Sequence, residues 1–297
     1  MHDGTVLQLE APAKINLALA VTGREDGYHL LDSVMQEIDL ADSLEMRLAT
    51  STTLTVTGGV LPAINTVTKA AHLFHAACGL RGGAEIQLHK RIPVQAGLGG
   101  GSSDGAAVLK GLNALHGLPF SELQLAELAK EIGADCPFFL RGGVQRARGI
   151  GEVLSPIRNR CHFALLLVKP TEGVATGPAF ALADSLPEVR PDISACVAAL
   201  ADGDAEQYFA TAGNALQPAA EHLVPVIRRL GGQCLQLGAS YWQVTGSGSC
   251  LFAAFADEDA RDRAAAQLQA PDLFVRAVRA VGGSGGKAKE EDADRHA

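Results

Sequence analysis

The segment Pro93-Val94-Gln95-Ala96-Gly97-Leu98-Gly99-Gly100-Gly101-Ser102-Ser103 constrains this chain more than any other. Four of its residues within five positions, Gly97, Gly99, Gly100 and Gly101, are glycine. Glycine adopts left-handed backbone conformations at little steric cost and leaves amide groups open to close approach. The segment lies between an alternating run, Ala84 to Lys90, that predicts a strand, and a run from Ser102 to His116 that predicts a helix. A helix start adds unpaired N–H donors and a partial positive charge, so strand, glycines and helix together make an anion cradle suited to phosphate. No Gly-Lys-Ser/Thr follows the glycines, which excludes a Walker A loop, and Ser102 breaks the Gly-x-Gly-x-x-Gly spacing in the frame starting at Gly97. A flexible linker would not be framed by a strand and a capped helix.

The rest of the composition narrows what such a cradle serves. Asp and Glu total 33 against 25 Lys and Arg, a net charge of -8. Nucleic-acid binding needs clustered cations, so an acidic chain without a basic stripe argues against it. No apolar run approaches the ~20 residues that cross a bilayer. Met1 to Pro12 lacks a basic region followed by an apolar one, and the expectation is a cytoplasmic protein away from membranes. Six cysteines are scattered with no C-x-x-C pair, which reads as free thiols.

At 297 residues the chain has room for about two domains of ~150 residues. Extended segments are predicted at Leu7 to Thr22, Ser43 to Thr57 and Phe163 to Val168, and strand–turn–strand at Tyr241 to Ala256. Helices are predicted at Asn65 to Cys78, Ser121 to Ile132, Ile193 to Leu200, Asp204 to Asn214, Val224 to Gly231 and Asp257 to Ala270. Antiparallel-looking strands with segregated helices favour an α+β fold. The loop-like stretch from Gly149 to Arg160 places the boundary between a first domain, 1–155, and a second, 156–281. Residues 282–297, GGSGGKAKEEDADRHA, have no apolar periodicity and read as a disordered tail carrying part of the acidic excess.

Four further segments carry polar groups in apolar surroundings. Lys14 and Asn16, two apart in Ala11-Pro12-Ala13-Lys14-Ile15-Asn16-Leu17, share one face of a strand, whether that face is solvated or functional. Asp135, in Gly133-Ala134-Asp135-Cys136-Pro137-Phe138-Phe139, is an N-cap by default and a general base as the alternative. Asp26-Gly27-Tyr28-His29 is a turn bearing an aromatic ring and an imidazole, either of which can read a base. Val244 to Cys250 is a second Gly/Ser turn, built to close over phosphates or to make a tight hairpin.

In this order, PAKINL, DGYH, PVQAGLGGGSSD, GADCPFF and TGSGSC resemble the motifs of the GHMP kinases, from about Ala11 to about Val281. The resemblance implies a two-domain GHMP kinase fold, with a ribosomal-protein-S5-like N-terminal domain and a C-terminal α+β domain. It implies ATP-dependent phosphorylation of the 2-hydroxyl of a cytidine-diphosphate-linked methylerythritol, a step of the non-mevalonate route to isoprenoids. The expected assembly is a monomer or homodimer. Lys14 and Asp135 map onto the family's catalytic pair, and Pro93 to Ser103 onto its ATP loop. Mg2+ would bridge phosphate oxygens, its protein ligands unknown. Asn16 would bond near the acceptor alcohol, His29 would pair with the cytosine edge, and Tyr28 and Phe180 would cover the two ring faces. Lys90 would approach adenosine or substrate. The chain departs from the pattern at Gly105, where alanine is common, which is expected to cost the helix up to ~1 kcal/mol. The DGYH turn and the Gly-Gly-Gly-Ser-Ser form argue against family members acting on mevalonate derivatives or homoserine. A non-catalytic sensor should lack Lys14 or Asp135, and this chain keeps both.

Overall fold

The computed structural model describes residues 5–79 and 82–282. In chain order the elements are β1 (Leu7–Glu25), β2 (Tyr28–Ala49), β3 (Thr53–Thr57), α1 (Thr66–Cys78), β4 (Gly83–His89), α2 (Gly100–Leu115), α3 (Glu122–Ile132), α4 (Cys136–Arg141), β5 (Val144–Gly149) and β6 (Val153–Pro156). There follow β7 (Ala164–Pro170), α5 (Thr176–Ala183), α6 (Ile193–Asp202), α7 (Ala205–Thr211), α8 (Gln217–Leu223), α9 (Val226–Gln236), β8 (Tyr241–Val244), β9 (Leu251–Phe255), α10 (Glu258–Gln267) and β10 (Leu273–Val278). The first sheet runs β3-β4-β2-β5-β6 with β1 also paired to β2, and the second runs β10-β7-β9-β8.

The hairpin of β1 and β2 is the backbone of the molecule. Asp26 and Gly27 both have positive φ, 49° and 84°, as a two-residue hairpin turn requires. The register of β1 against β2 shifts between Pro12 and Lys14 and again between Asn16 and Ala18, so the segment bearing Lys14 and Asn16 is bracketed by irregularities. Such bulges bend a strand and re-aim its side chains, and Pro12 supplies no ladder donor.

Alternate residues of β1, β2 and β4 meet α1, α2 and α3 in one core of Ala11, Leu44, Met46, Ile86, Leu88, Phe74, Leu109 and Leu112. Asn65 caps α1 by accepting from the Thr68 amide, and Gly79 ends it at φ 64°. Ser121 and Gln124 form a capping box on α3. A second core, with Ile15, Leu17, Val34, Leu165, Leu167, Tyr208 and Phe252, joins the two sheets. The continuous apolar run expected from Phe163 to Val168 is β7, an interior strand buried at every residue. Its Leu165 and Leu167 face the shared core, while Ala164, Leu166 and Val168 face α9 and α10.

Several boundaries differ from the sequence expectation. Helix α2 starts at Gly100 rather than Ser102, because Gly99 takes the left-handed N-cap position at φ 72°. Helices α4, α5 and α8 are only six to eight residues long, too short for a periodic pattern to stand out. The tail expected from 282 onward lies outside the described residues beyond Gly282. All six cysteines are free, and among the described residues no helix is long and apolar enough to cross a membrane.

Candidate active site

The glycine segment bridges β4 and α2 and is held by both halves of the chain. The Lys14 amide donates to the Leu98 carbonyl at 3.0 Å, the Ser249 amide to Gln95 at 3.1 Å, and the Cys250 amide to Ala96 at 3.2 Å. Thr245 donates its hydroxyl to the Gly97 carbonyl at 3.3 Å and accepts from the Asn16 amide at 2.9 Å. The two glycine-rich segments, distant in sequence, therefore form one structure.

The glycines divide by what their missing side chains make room for. A Cβ at Gly97 would fall 1.9 Å from the Thr245 carbonyl oxygen, and Gly97 has φ 74°. One at Gly99 would meet Phe139 at 2.7 Å and one at Gly100 would meet Ile92 at 2.9 Å. These three admit close protein packing. Gly101 is exposed, and a Cβ there would approach nothing nearer than the Thr66 hydroxyl at 3.6 Å. Its backbone is open to a ligand. The first backbone bond into α2 runs from the Ser103 amide to Gly99, so the amides of Gly100, Gly101 and Ser102 precede the helical ladder and are available to an anion. Ser103 Oγ is buried without a hydrogen-bond partner. Val94 is 60% exposed on the outer side of the same loop.

Beside this cradle stands the pair expected from the sequence. Lys14 Nζ lies 3.6 Å from Asp135 Oδ2; the lysine side chain is 4% exposed and the carboxylate 32%. Lys14 Nζ also donates to Asn16 Oδ1 at 2.5 Å, and Asn16 Nδ2 donates to Ser33 Oγ at 2.8 Å. Ser33 in turn donates to the Ala18 carbonyl. Both ends of the Asn16 amide are thus used to fix the lysine. Asp135 occupies the N-cap position of α4, but its side chain makes no capping bond. The carboxylate faces the lysine and solvent instead. Gly246 packs on the other side, where a Cβ would come within 3.4 Å of Lys14 Nζ. The neighbouring Cys136 thiol is pushed up to about 12 by burial, so it stays protonated and supplies no competing nucleophile.

The residues assigned to the base lie at the hairpin tip. His29 Nε2 is 2.8 Å from Asp184 Oδ1, and the His29 ring stacks on Phe180 with centroids 4.7 Å apart. Tyr28 is 64% exposed. His29, Phe180 and Asp184 line a cavity of about 280 Å³ with Val21, Val189 and Ala215. Asp184, the C-cap of α5, was not visible as a site residue from the sequence, although an acid at the unfavourable end of a helix is a signal that could have found it. The hydroxyls of Thr176 and Ser247 share a hydrogen bond at 3.2 Å, tying α5 to the second glycine turn.

Lys90 departs from its expected place. It was expected to approach adenosine or substrate; instead its ammonium is buried beneath Gly100 and bonded to both Asp42 and Asp104. Asp42 also accepts from the Ile92 amide at 2.8 Å, so this cluster braces the start of the glycine segment from below. Two buried carboxylates sharing one ammonium leave Asp104 raised to about 7, chiefly through loss of solvation. Among the described residues no group of three or more His, Cys, Asp or Glu could hold a metal ion.

Comparison with known proteins matches both halves. A model described as "GHMP kinases N terminal domain" covers residues 65–143, and "GHMP kinases C terminal" covers 195–272. The 4-diphosphocytidyl-2-C-methyl-D-erythritol kinase of Pelotomaculum thermopropionicum is 42% identical over 280 residues, spanning 92% of this chain and 98% of that protein. The protein of the same name from Desulfitobacterium hafniense is 39% identical, spanning 88% and 91%. A crystal structure of 4-(cytidine 5'-diphospho)-2C-methyl-D-erythritol kinase superposes with a TM-score of 0.76 at 35% identity, over 92% of this chain and 99% of that one. Homoserine kinase from Cytophaga hutchinsonii superposes with a TM-score of 0.73 at 20% identity, over 95% and 98%, a likeness of fold alone.

Proposed function

The chain belongs to the 4-diphosphocytidyl-2-C-methyl-D-erythritol kinases of the GHMP kinase family, and from that membership we propose how its residues divide the reaction. It is an ATP-dependent small-molecule kinase acting on the cytidine-diphosphate-linked methylerythritol in the non-mevalonate isoprenoid route. The observation that carries the division of labour is the Lys14–Asp135 pair at 3.6 Å beside the joined glycine turns.

Asp135 is the general base. Its carboxylate is not spent on capping and is partly open, so it can accept the proton of the 2-hydroxyl at the ~2.6–3.2 Å that proton transfer needs. Lys14, held by Asn16, offsets charge on the moving phosphoryl group. Phosphoryl transfer asks little covalent chemistry of the protein, so most of the rate comes from positioning and charge compensation. Asn16 acts on the acceptor alcohol's surroundings by fixing Lys14. The ATP phosphates lie against the amides of Gly100, Gly101 and Ser102, with Ser103 Oγ an unmet polar atom at the same helix start.

Mg2+ fits this site only as a partner of the nucleotide. The described residues offer hydroxyls of Ser102 and Ser103 at the start of α2 rather than a carboxylate cluster. When bound it would supply charge neutralisation to the phosphates. The substrate lies along β1, with its alcohol near Asn16 and its cytosine between Tyr28 and Phe180 beside His29. The chain divides into a first domain, 1–155, that carries the ATP loop, and a second, 156–281, that carries Phe180 and the closing Gly/Ser turn. Cytoplasmic placement and a monomeric or homodimeric state complete the reading.

A coupled ADP-release assay tests it against the cytidylylated methylerythritol, mevalonate, phosphomevalonate and homoserine. Turnover with the first alone is expected, and release with mevalonate alone would overturn the substrate assignment.

A further inference from the structure

The ring of His29 lies against a carboxylate that the catalytic scheme leaves without a role. We propose that Asp184 is a positioning residue that holds His29 with its hydrogen on Nε2, leaving Nδ1 as an acceptor that selects a 4-amino pyrimidine over a 4-oxo one. The proposal rests on the reading of His29 as the cytosine contact and deepens it into a specificity device.

Asp184 is gripped by both arms of the β1–β2 hairpin. His29 Nε2 on β2 approaches Oδ1 at 2.8 Å, and Arg24 Nη1 on β1 approaches Oδ2 at 3.4 Å. Arg24 and His29 are direct partners in the strand register, so the carboxylate spans one rung of the ladder. The hydrogen bond from His29 holds the Asp184 carboxyl below its ordinary range, with the electrostatic pull of His29 and then of Arg24 adding to it. An ionised carboxylate only accepts, so Nε2 must carry the hydrogen. No hydrogen bond from a protein group among the described residues reaches Nδ1. Phe180 stacks on the ring with 26° between planes, and turning the imidazole over would lose the Asp184 bond.

Asp184 is also placed against helix electrostatics. It caps the C-terminal end of α5, where the helix dipole disfavours an anion, and its side chain is 44% exposed. A purely structural residue at this position would sooner be neutral or basic. Its removal should not weaken the fold.

The chemistry that follows is directional. The 4-amino group of cytosine donates to the Nδ1 lone pair, whereas O4 of uracil meets it lone pair to lone pair. A site built around one hydrogen bond rejects the analogue that cannot make it, because a polar group is left unpaired. His29, Phe180 and Asp184 line one cavity of about 280 Å³.

The test uses the full-length enzyme with cytidine- and uridine-diphosphate-linked methylerythritol as competing acceptors. Asp184→Asn is the informative variant. Arg24 will draw the new carbonyl, turning the NH2 toward His29 Nε2 and moving the ring hydrogen to Nδ1. The cytidine-over-uridine ratio of kcat/KM should fall about 10- to 100-fold, with the KM for ATP and the Tm unchanged. Asp184→Ala, which restrains neither tautomer, should lie between. The nitrogen-15 NMR spectrum should show His29 protonated on Nε2 alone in the wild type and on Nδ1 in Asp184→Asn. A folded Asp184→Asn enzyme that keeps the wild-type ratio overturns the proposal, as does a doubly protonated ring in the wild type at neutral pH. Failure of the wild type to phosphorylate the cytidine compound would instead sink the functional reading. The ring spectra, with calorimetric binding of cytidine and uridine 5'-diphosphates, would then still decide the role of Asp184.

Discussion

Two buried lysines lie against the same glycine segment in opposite settings. Lys14 is 4% exposed and Lys90 5%, so burial does not separate them. Their partners do. The carboxylate facing Lys14 is 32% exposed, while both carboxylates facing Lys90 are fully enclosed. A pair with one open member can meet a substrate; a sealed cluster can only hold the chain together. Lys14 also has a single carboxylate and an amide for company, whereas Lys90 has two carboxylates and the loop backbone bonded to one of them.

The sharpest way to break this contrast is to remove the charges one side at a time. Asp135→Asn should lower kcat about 10²- to 10⁴-fold while leaving ATP affinity intact, measured by coupled ADP release and titration calorimetry. Lys14→Met should lower kcat by about 10²- to 10³-fold. Its loss of stability should be smaller than that of Lys90→Met, because the carboxylate it abandons is already in contact with water and only the buried Asn16 amide oxygen loses a donor. Near-normal turnover in Asp135→Asn would remove the base assignment. Lys90→Met should do the reverse. It strands two enclosed carboxylates and should cost about 3–5 kcal/mol of stability by urea unfolding. Loss of kcat in a stably folded Lys90→Met enzyme would show that Lys90 is not merely a brace.

How much of this was legible in the sequence follows from separation along the chain. The glycine loop could be read because its parts are consecutive and flanked by a strand and a helix. Lys14 and Asn16 could be read as a same-face pair because they are two apart. The sealed cluster could not. Asp42 is 48 residues from Lys90, and nothing local distinguishes it from any polar residue on a strand. Asp184 is 155 residues from His29 and becomes its partner only through the packing of α5 against the hairpin tip. Asp135 shows a different limit. A capping acid and an acid free for chemistry look alike in sequence, and the side chain of Asp135 makes no capping bond.

The sealed cluster should also declare itself in a pH profile. The Asp104 carboxyl is raised from 3.8 to about 7, mainly by burial. In that interval the native protein holds a proton that the unfolded chain has released, so this group's contribution to stability falls as pH rises from about 4 to about 7. The slope is opposite to that of an acid in an ordinary surface salt bridge. Asp104→Asn should flatten it, seen as a smaller decline in urea midpoint across the same interval. An unchanged slope would mean that Asp104 does not carry the proton.

The smallest expected effect tests whether the helix above the cluster is tuned by propensity or by packing. Alanine at Gly105 should gain the helix up to ~1 kcal/mol on propensity alone. The added Cβ, however, would stand 3.1 Å from Ile132 Cγ2, 3.2 Å from Thr66 Cβ and 3.3 Å from the Thr66 carbonyl oxygen. That oxygen belongs to the first turn of α1, and the Thr66 hydroxyl donates to the Gly101 carbonyl at 2.5 Å. Relief of the crowding must therefore move either α3 or the residue that clamps the phosphate loop. Gly105→Ala should change stability by less than about 1 kcal/mol, because crowding offsets propensity, and should raise the KM for ATP more than that for the acceptor. A clear gain in stability with both KM values unchanged would show that propensity governs this turn and that the glycine is not required for packing.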